Sequence, residues 1–292
     1  MKIIVLGARG STPAPGADFL RYGGHTSSLA LAHDGEVLPR LVIDAGTGIR
    51  QLSALLDGSF QGGILLGHLH WDHTQGLPFF RAGDNPASVV TLYGPHQGPE
   101  TDMESVLSRA MSPPHFPITP GELRGKWTFE NLSPGEHEIE GFSVLALDIP
   151  HKGGRSFGYR ISDGRVSLAY LSDHWPTGFG PGPAGLGEYH DNAVRLVSGA
   201  DIVFHDAQYT DEELPARGYF GHSCPGYALG LALETGAKRL VLFHHDPQRT
   251  DDEIDAMVAG YRDAPIAVEG GTEGAVIDLV PGERYQVGGP TP

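Results

Sequence analysis

The run Gly67-His68-Leu69-His70-Trp71-Asp72-His73 constrains this chain more than any other stretch. It packs three imidazoles and a carboxylate directly behind the apolar run Ile64-Leu65-Leu66. Imidazole and carboxylate are the side chains that hold zinc and similar divalent ions. In an extended segment side chains alternate between faces, so His68 and His70 point to one face. Asp72 and His73 fall where the chain turns and can reach a second ion beside the first. The pattern His-x-His-x-Asp-His therefore reads as half of a two-metal site at the end of a strand. One histidine at a strand end is ordinarily a surface or hydrogen-bonded core residue. Three with an aspartate, behind a buried strand, are hard to explain as packing. A structural metal is also disfavoured, because closed zinc sites usually use thiolates and the chain has one cysteine, Cys224.

A two-metal centre needs more ligands, and they should lie at other strand ends. Three candidates meet that condition. His151 follows an apolar strand at 142–147, Asp173 follows one at 166–171, and His244 ends one at 240–243. Alone, each would read as a turn residue or a cap. With the opening cluster they supply the seven ligands that two ions sharing a carboxylate require.

The rest of the chain is consistent with a soluble protein that can carry such a site. It has 292 residues, 39% hydrophobic and 19% charged, enough for a sizeable core. The expectation is one domain over residues 1–292, since no linker separates two. The net charge is −16, which argues against a broad nucleic-acid surface, because phosphate binding is driven by Lys and Arg. The lone cysteine excludes an intramolecular disulfide and fits a reducing cytosol. The opening Met1-Lys2-Ile3-Ile4-Val5-Leu6-Gly7 is too short and too soon broken for a signal peptide. No apolar stretch reaches transmembrane length. A cytoplasmic protein without a membrane partner is expected, and a homodimer is one assembly open to it.

Strands are predicted at 3–6, 28–32, 41–44, 63–66, 89–93, 142–147, 157–161, 166–171, 202–204, 240–243, 266–268 and 275–279. Helices are predicted at 49–56, 100–110, 191–197, 223–234 with Ser223 as N-cap, and 250–261 with a capping box of Thr250 and Glu253. Hairpin-like strands with helices between them suggest two mixed sheets packed face to face, with helices outside. Residues 111–126 and 175–187 read as loops, the second either a connector or a lid over the site.

At this point the chain resembles the metallo-β-lactamase superfamily, in the branch that contains RNase Z and the cyclic phosphodiesterases. The resemblance rests on the His68 to His73 run and its later partners, on Gly7-Ala8-Arg9-Gly10-Ser11, and on Tyr22-Gly23-Gly24-His25-Thr26-Ser27. It continues through Ile43-Asp44-Ala45-Gly46-Thr47-Gly48, Phe157-Gly158-Tyr159-Arg160-Ile161 and Phe243-His244-His245-Asp246-Pro247. It implies an α+β fold, a four-layer αβ/βα sandwich with the site at one edge of the sheets. It assigns His68, His70 and His151 to a first ion and Asp72, His73 and His244 to a second, with Asp173 bridging. Two divalent ions are implied, zinc by ligand type, with manganese and iron as alternatives. A hydroxide held between them would be the nucleophile.

A second constellation narrows the branch. Phe204-His205-Asp206-Ala207-Gln208 is followed by Gly221-His222-Ser223. In RNase Z-like enzymes an acidic residue orients a later histidine that protonates the leaving oxygen. Asp206 and His222 match those positions, with Asp in place of Glu. Asp72, Asp206 and His222 are thus the catalytic candidates. The plainer alternative is that Asp206 pairs with His222 only to order the Gly221 loop.

The chain also departs from the pattern. His174 follows the bridging aspartate where the family commonly has Thr, and is open to a substrate contact, a supporting contact or the surface. His25 stands where Asn is frequent, and His245 is a neighbour of a ligand rather than a ligand. Arg9, Lys152 and Arg155 are candidates to hold a phosphate, although exposed basic residues usually do nothing specific. The segment 95–126 does not look like the long basic or glycine-rich arm with which RNase Z enzymes clamp tRNA. With the acidic balance, this points away from nucleic acid and to a small phosphodiester, with cyclic nucleotides and cyclic ribose phosphates as the candidates the resemblance implies. The alternatives are a tRNA 3′-end endonuclease, a lactone, thioester or sulfate ester hydrolase, and a non-catalytic metal-binding scaffold.

Overall fold

Strand β1 (Lys2–Gly7) carries Ile3-Ile4-Val5-Leu6 without a polar break because both of its faces are covered. Ile3 and Val5 face one apolar cluster, Ile4 and Leu6 another, as a period-two strand requires. In this computed structural model the described residues are 1–179, 186–187 and 189–282. β1 lies in a seven-stranded sheet with β2 (Ser28–Ala32), β3 (Leu41–Ile43), β4 (Gln61–Leu65), β5 (Val89–Pro95), β6 (Lys126–Leu132) and β14 (Val276–Asp278). Its order is β14-β1-β2-β3-β4-β5-β6. The second sheet holds β7 (Gly135–Ile139), β8 (Phe142–Ile149), β9 (Ser156–Ser162), β10 (Ser167–Leu171), β11 (Ile202–Asp206), β12 (Arg239–Phe243) and β13 (Ala267–Gly270), in the order β13-β12-β11-β10-β9-β8-β7.

Both sheets are mixed. β1, β2 and β3 pair antiparallel, whereas β3 to β6 run parallel. In the second sheet β7 to β10 are antiparallel and β10 to β13 parallel. Between the sheets, Leu29, Ile43 and Leu65 pack with Val144, Tyr159 and Phe204. Helices cover the outer faces: α1 (Ile49–Leu52) and α3 (Met103–Ser108) on the first, α4 (His190–Val197) and α6 (Pro225–Glu234) on the second. The short α2 (Trp71–Thr74) and α5 (Leu214–Arg217) and the longer α7 (Asp251–Ala259) are the other α-helices among the described residues. Helix, sheet, sheet and helix make the four-layer αβ/βα sandwich expected.

Parallel pairing explains where the site lies. Ile43 pairs with Leu65, so the residues after β3 and β4 emerge side by side. Leu171 pairs with His205 and Asp206 with Phe243, so β10, β11 and β12 end level. Polar residues placed just after these strands therefore meet at one edge of the sandwich. Open parallel sheets place their functional groups at such carboxyl ends.

The structure adds two strands that the sequence conceals. β6 alternates exposed and half-buried side chains, and β7 reads Gly-Glu-His-Glu-Ile. Each is an edge strand, and edge strands carry charge that discourages pairing with another chain. Neither has the apolar run that marks an interior strand. The helix expected from Ser223 starts two residues later, because Pro225 takes its first turn and Cys224 stands at the N-cap. The helix expected at 100–110 is trimmed to Met103–Ser108, where the Asp102 side chain accepts from Ser105 N at 2.8 Å. The Thr250–Glu253 capping box forms. The loop expected at 175–187, with its lid reading, lies partly outside the described residues. Among the described residues no helix is long and apolar enough to cross a membrane.

Arg9 does not reach toward a phosphate. It is fully buried, donates to Gly23 O at 2.8 Å and Arg249 O at 2.6 Å, and pairs with Asp251 at 3.3 Å. Beside it His245 donates from Nε2 to Gly271 O at 3.0 Å. Burial, reinforced by Arg9, lowers the His245 pKa to about 3. An unfolded histidine binds its proton near 6.5. Below that pH the unfolded chain takes up a proton that the folded chain refuses until about pH 3. Stability must therefore fall with pH across that window, by at most about 1.4 kcal/mol per unit for this group. Circular dichroism melts should show a midpoint that drops from pH 7 to pH 4, and a shallower drop in His245→Gln.

Candidate metal centre

The seven residues expected as ligands converge. His68 follows β4, and His70 stands in extended conformation at the start of α2, whose single turn buries Asp72 and His73. His151 follows β8, Asp173 follows β10 and His244 follows β12. His68, His70 and His151 form one group of donor atoms, and Asp72, His73, Asp173 and His244 another, each within 4.8 Å. Asp173 lies between them. Its Oδ1 is 3.8 Å from His68 Nε2 and 3.5 Å from His151 Nε2. Its Oδ2 is 2.9 Å from His73 Nε2 and 3.3 Å from His244 Nε2. Asp72 Oδ2 accepts from Ser11 N at 2.6 Å and lies 3.1 Å from His244 Nε2.

The hydrogen bonds around this cluster suit cations. His151 Nδ1 donates to Gly221 O at 2.7 Å, so its Nε2 carries the lone pair, 3.2 Å from His70 Nδ1. His73 Nδ1 is held by Asp44 at 2.7 Å, and its Nε2 faces His244 Nε2 at 3.3 Å. His68 Nε2 is buried with no hydrogen-bond partner. Lone pairs and anionic oxygens turned toward one another in a buried space repel unless positive charge sits among them. Protein charges express the same demand. Burial opposes a charged His73, yet Asp173, Asp44 and Asp72 outweigh it and hold His73 well above the ordinary histidine range. Burial likewise opposes a charged His244, but Asp173 and Asp72 raise it to about 8. Burial pushes His68 well below that range, with His73 adding to it, and pushes His151 down to about 4. Those two imidazoles stay neutral, which is the form that binds a metal. The donor set therefore fits divalent ions.

Asp44 was not among the expected site residues. It accepts from Gly67 N at 2.7 Å, from Tyr170 Oη at 2.6 Å and from His73 Nδ1. Its φ of 59° turns the chain sharply after β3, a conformation Asp tolerates better than most residues. The signal available in sequence was an aspartate at the end of an apolar strand before Ala45-Gly46. A carboxylate that holds the far nitrogen of a ligating histidine fixes its tautomer and orientation. Asp44→Asn should weaken metal binding about 10–100-fold, read by zinc titration against a chromophoric chelator.

Asp206 and His222 also meet. His222 Nδ1 donates to Asp206 Oδ2 at 2.9 Å. Asp206 is fixed in turn by His174 N at 3.1 Å and Gln208 N at 3.0 Å. Nε2 of His222 is left free of that pair. His222 lines a cavity of about 360 Å³ together with Ser11, His70, Trp71, Asp72 and Asp173. His174 is neither a surface residue nor a substrate contact: it is fully buried, with Nδ1 3.0 Å from His205 Nε2. Arg155 is committed to Asp148 at 2.5 and 2.8 Å, whereas Lys152 sits over the exposed Tyr219 ring at 5.5 Å.

Comparison with known proteins agrees with this geometry. The chain matches the model of the beta-lactamase superfamily domain over residues 39–245. It is similar to ribonuclease Z of Staphylococcus carnosus (strain TM300), 26% identical over 284 residues that span 80% of this chain and 87% of the relative. Among solved structures it is similar to the metallo-beta-lactamase fold protein YhfI of Bacillus subtilis, with 17% identity, a TM-score of 0.69 and 95% and 99% of the two chains covered. The short form of human tRNase Z matches at 22% identity and a TM-score of 0.67, over 96% of this chain and 100% of that one. The structural likenesses establish the fold.

The relatives correct one expectation, that the substrate is a small molecule and not a nucleic acid. Relatives named ribonuclease Z point to a nucleic-acid substrate. Net charge misled here because it sums over the whole surface, whereas a phosphate responds to the local field. Ions bound in the site would add positive charge where the phosphate sits. A family match over residues 39–245, borne on a sandwich whose strand ends gather histidines and aspartates, means that this chain belongs to the metallo-β-lactamase superfamily, in the branch that contains ribonuclease Z.

Proposed function

We propose that this protein is an RNA phosphodiester hydrolase of the ribonuclease Z kind, with the 3′ end of tRNA as its substrate. As a member of its superfamily it is a metal-dependent hydrolase. The observation that carries the RNA reading is the Asp206–His222 pair, whose His222 lines the cavity that His70, Asp72 and Asp173 also line. The relatives named ribonuclease Z support it. An alkoxide leaving from a ribose is a poor leaving group, so protonation at the moment of cleavage matters. Asp206 accepts a hydrogen bond from His222 Nδ1, which fixes the orientation of the ring and leaves Nε2 to face the cavity. His222 then gives its Nε2 proton to the departing ribose oxygen. Gln208 N and His174 N hold Asp206 still while this happens.

His68, His70 and His151 would hold one divalent ion and Asp72, His73 and His244 a second, with Asp173 shared. Such ions, zinc by ligand type, lower the pKa of a water and stabilise charge on phosphoryl oxygens. Ser11 N, donating to Asp72, keeps that carboxylate turned inward.

The test is cleavage of a tRNA bearing a 3′ trailer by zinc-loaded protein, with the His68→Ala, His70→Ala double variant as control. Release of the trailer at a defined position is expected. No cleavage above the control would overturn the RNA reading.

A further inference from the structure

Trp71 sits inside the metal-ligand run, yet 74% of its surface is exposed. A tryptophan kept for packing would be covered, so its exposure needs another account. With Leu69 it lines the cavity at the metal centre and also a second, largely apolar cavity of about 610 Å³. That cavity is walled by Phe79, Leu107 and Phe116, with Arg109 beside them. Phe79 is 56% exposed, and its ring meets Phe116 edge to face at 5.9 Å. Arg109 has no carboxylate partner among the described residues and is exposed. The two cavities therefore share a wall. A phosphodiester held at the cluster of candidate ligands would lie next to that wall.

We propose that the second cavity receives the nucleobase next to the scissile phosphate, with Trp71 as its stacking platform, an inference that rests on the RNA reading above. The occupant is taken to be attached to the phosphodiester, since Leu69 and Trp71 line both cavities. A nucleotide matches the lining: a flat π face for the aromatic wall, and phosphate charge for the unpaired Arg109. Bases of unpaired strands are bound by stacking on aromatic side chains and by guanidinium groups. The pocket explains why a bulky residue stands between two ligand positions.

The experiment uses the full-length zinc-loaded protein and two versions of a trailer-bearing tRNA, one intact and one abasic at a nucleotide flanking the cleavage site, each flanking position being tried. In the wild type, abasic substitution at one position should lower kcat/KM about tenfold, chiefly through KM. Trp71→Ala should lower kcat/KM on intact RNA by a similar factor and be indifferent to the abasic change. Trp71→Phe, which still stacks, should recover most of the loss, and Trp71→Leu should not. Phe116→Ala, outside the ligand run, should repeat the pattern more weakly with zinc content unchanged. If the wild type cleaves no RNA, the underlying reading falls and the pocket with it. If RNA is cleaved equally well by Trp71→Ala and Phe116→Ala, or with the same abasic penalty as the wild type, the pocket alone is overturned.

Discussion

Replacing His68 and His70 together by alanine should abolish firmly held metal and reduce phosphodiester hydrolysis by more than about a thousandfold, beyond the usual loss of one electrostatic stabiliser. The geometry sets that size. His68, His70 and His151 are the donors of one group, and removing two leaves His151 and one oxygen of Asp173. Asp173→Asn should act on both groups at once, because Oδ1 faces His68 and His151 while Oδ2 faces His73 and His244. Elemental analysis after dialysis, alongside turnover of bis(p-nitrophenyl) phosphate, separates the two effects. Metal retained at wild-type stoichiometry in the double variant would show that these side chains do not hold it.

The second large effect is expected at His222. His222→Ala should slow RNA cleavage about 10²–10⁴-fold, the usual span for a positioned general acid. Its effect on bis(p-nitrophenyl) phosphate should stay below about tenfold, since a nitrophenolate departs without a proton. Asp206→Asn should fall between the wild type and His222→Ala on RNA, because the imidazole remains but loses the carboxylate that fixes it. A purely structural His222 predicts something different. Gly221 O accepts from His151 Nδ1 at 2.7 Å, so a disordered Gly221 loop would disturb a candidate ligand. Both substrates would then suffer equally and metal would be lost. The ratio of the two rates distinguishes the cases.

Much of this is legible in the sequence. Interior strands were visible because both faces of β1, β2, β10 and β12 are covered, which forces unbroken apolar runs. The edge strands β6 and β7 were not, because an edge strand meets solvent and carries charge. Ligand candidates were legible for a related reason: imidazole and carboxylate are out of place directly after a buried strand. Asp44 escaped because a lone aspartate after β3 looks like a turn residue, and its three partners come from positions 67, 73 and 170. Arg9 illustrates the reverse error. In a glycine loop it suggests phosphate binding, but the loop folds inward and Asp251, from the start of α7, claims the guanidinium.

Local chemistry, then, was written in the order of the residues: which strands would be buried, which side chains could bind a cation, and which histidine could carry a proton. Period-two alternation and ligand type are properties of a few neighbouring residues, so a linear reading captures them. The assembly of those pieces came from strand pairing across the chain. Parallel registers such as Leu171 with His205 and Asp206 with Phe243 bring three strand ends level, and so make one centre of residues 68 to 244. The wall shared by Trp71 between two cavities arises in the same way. Distances between remote residues depend on how the sheets close on one another, and no short stretch of sequence encodes them.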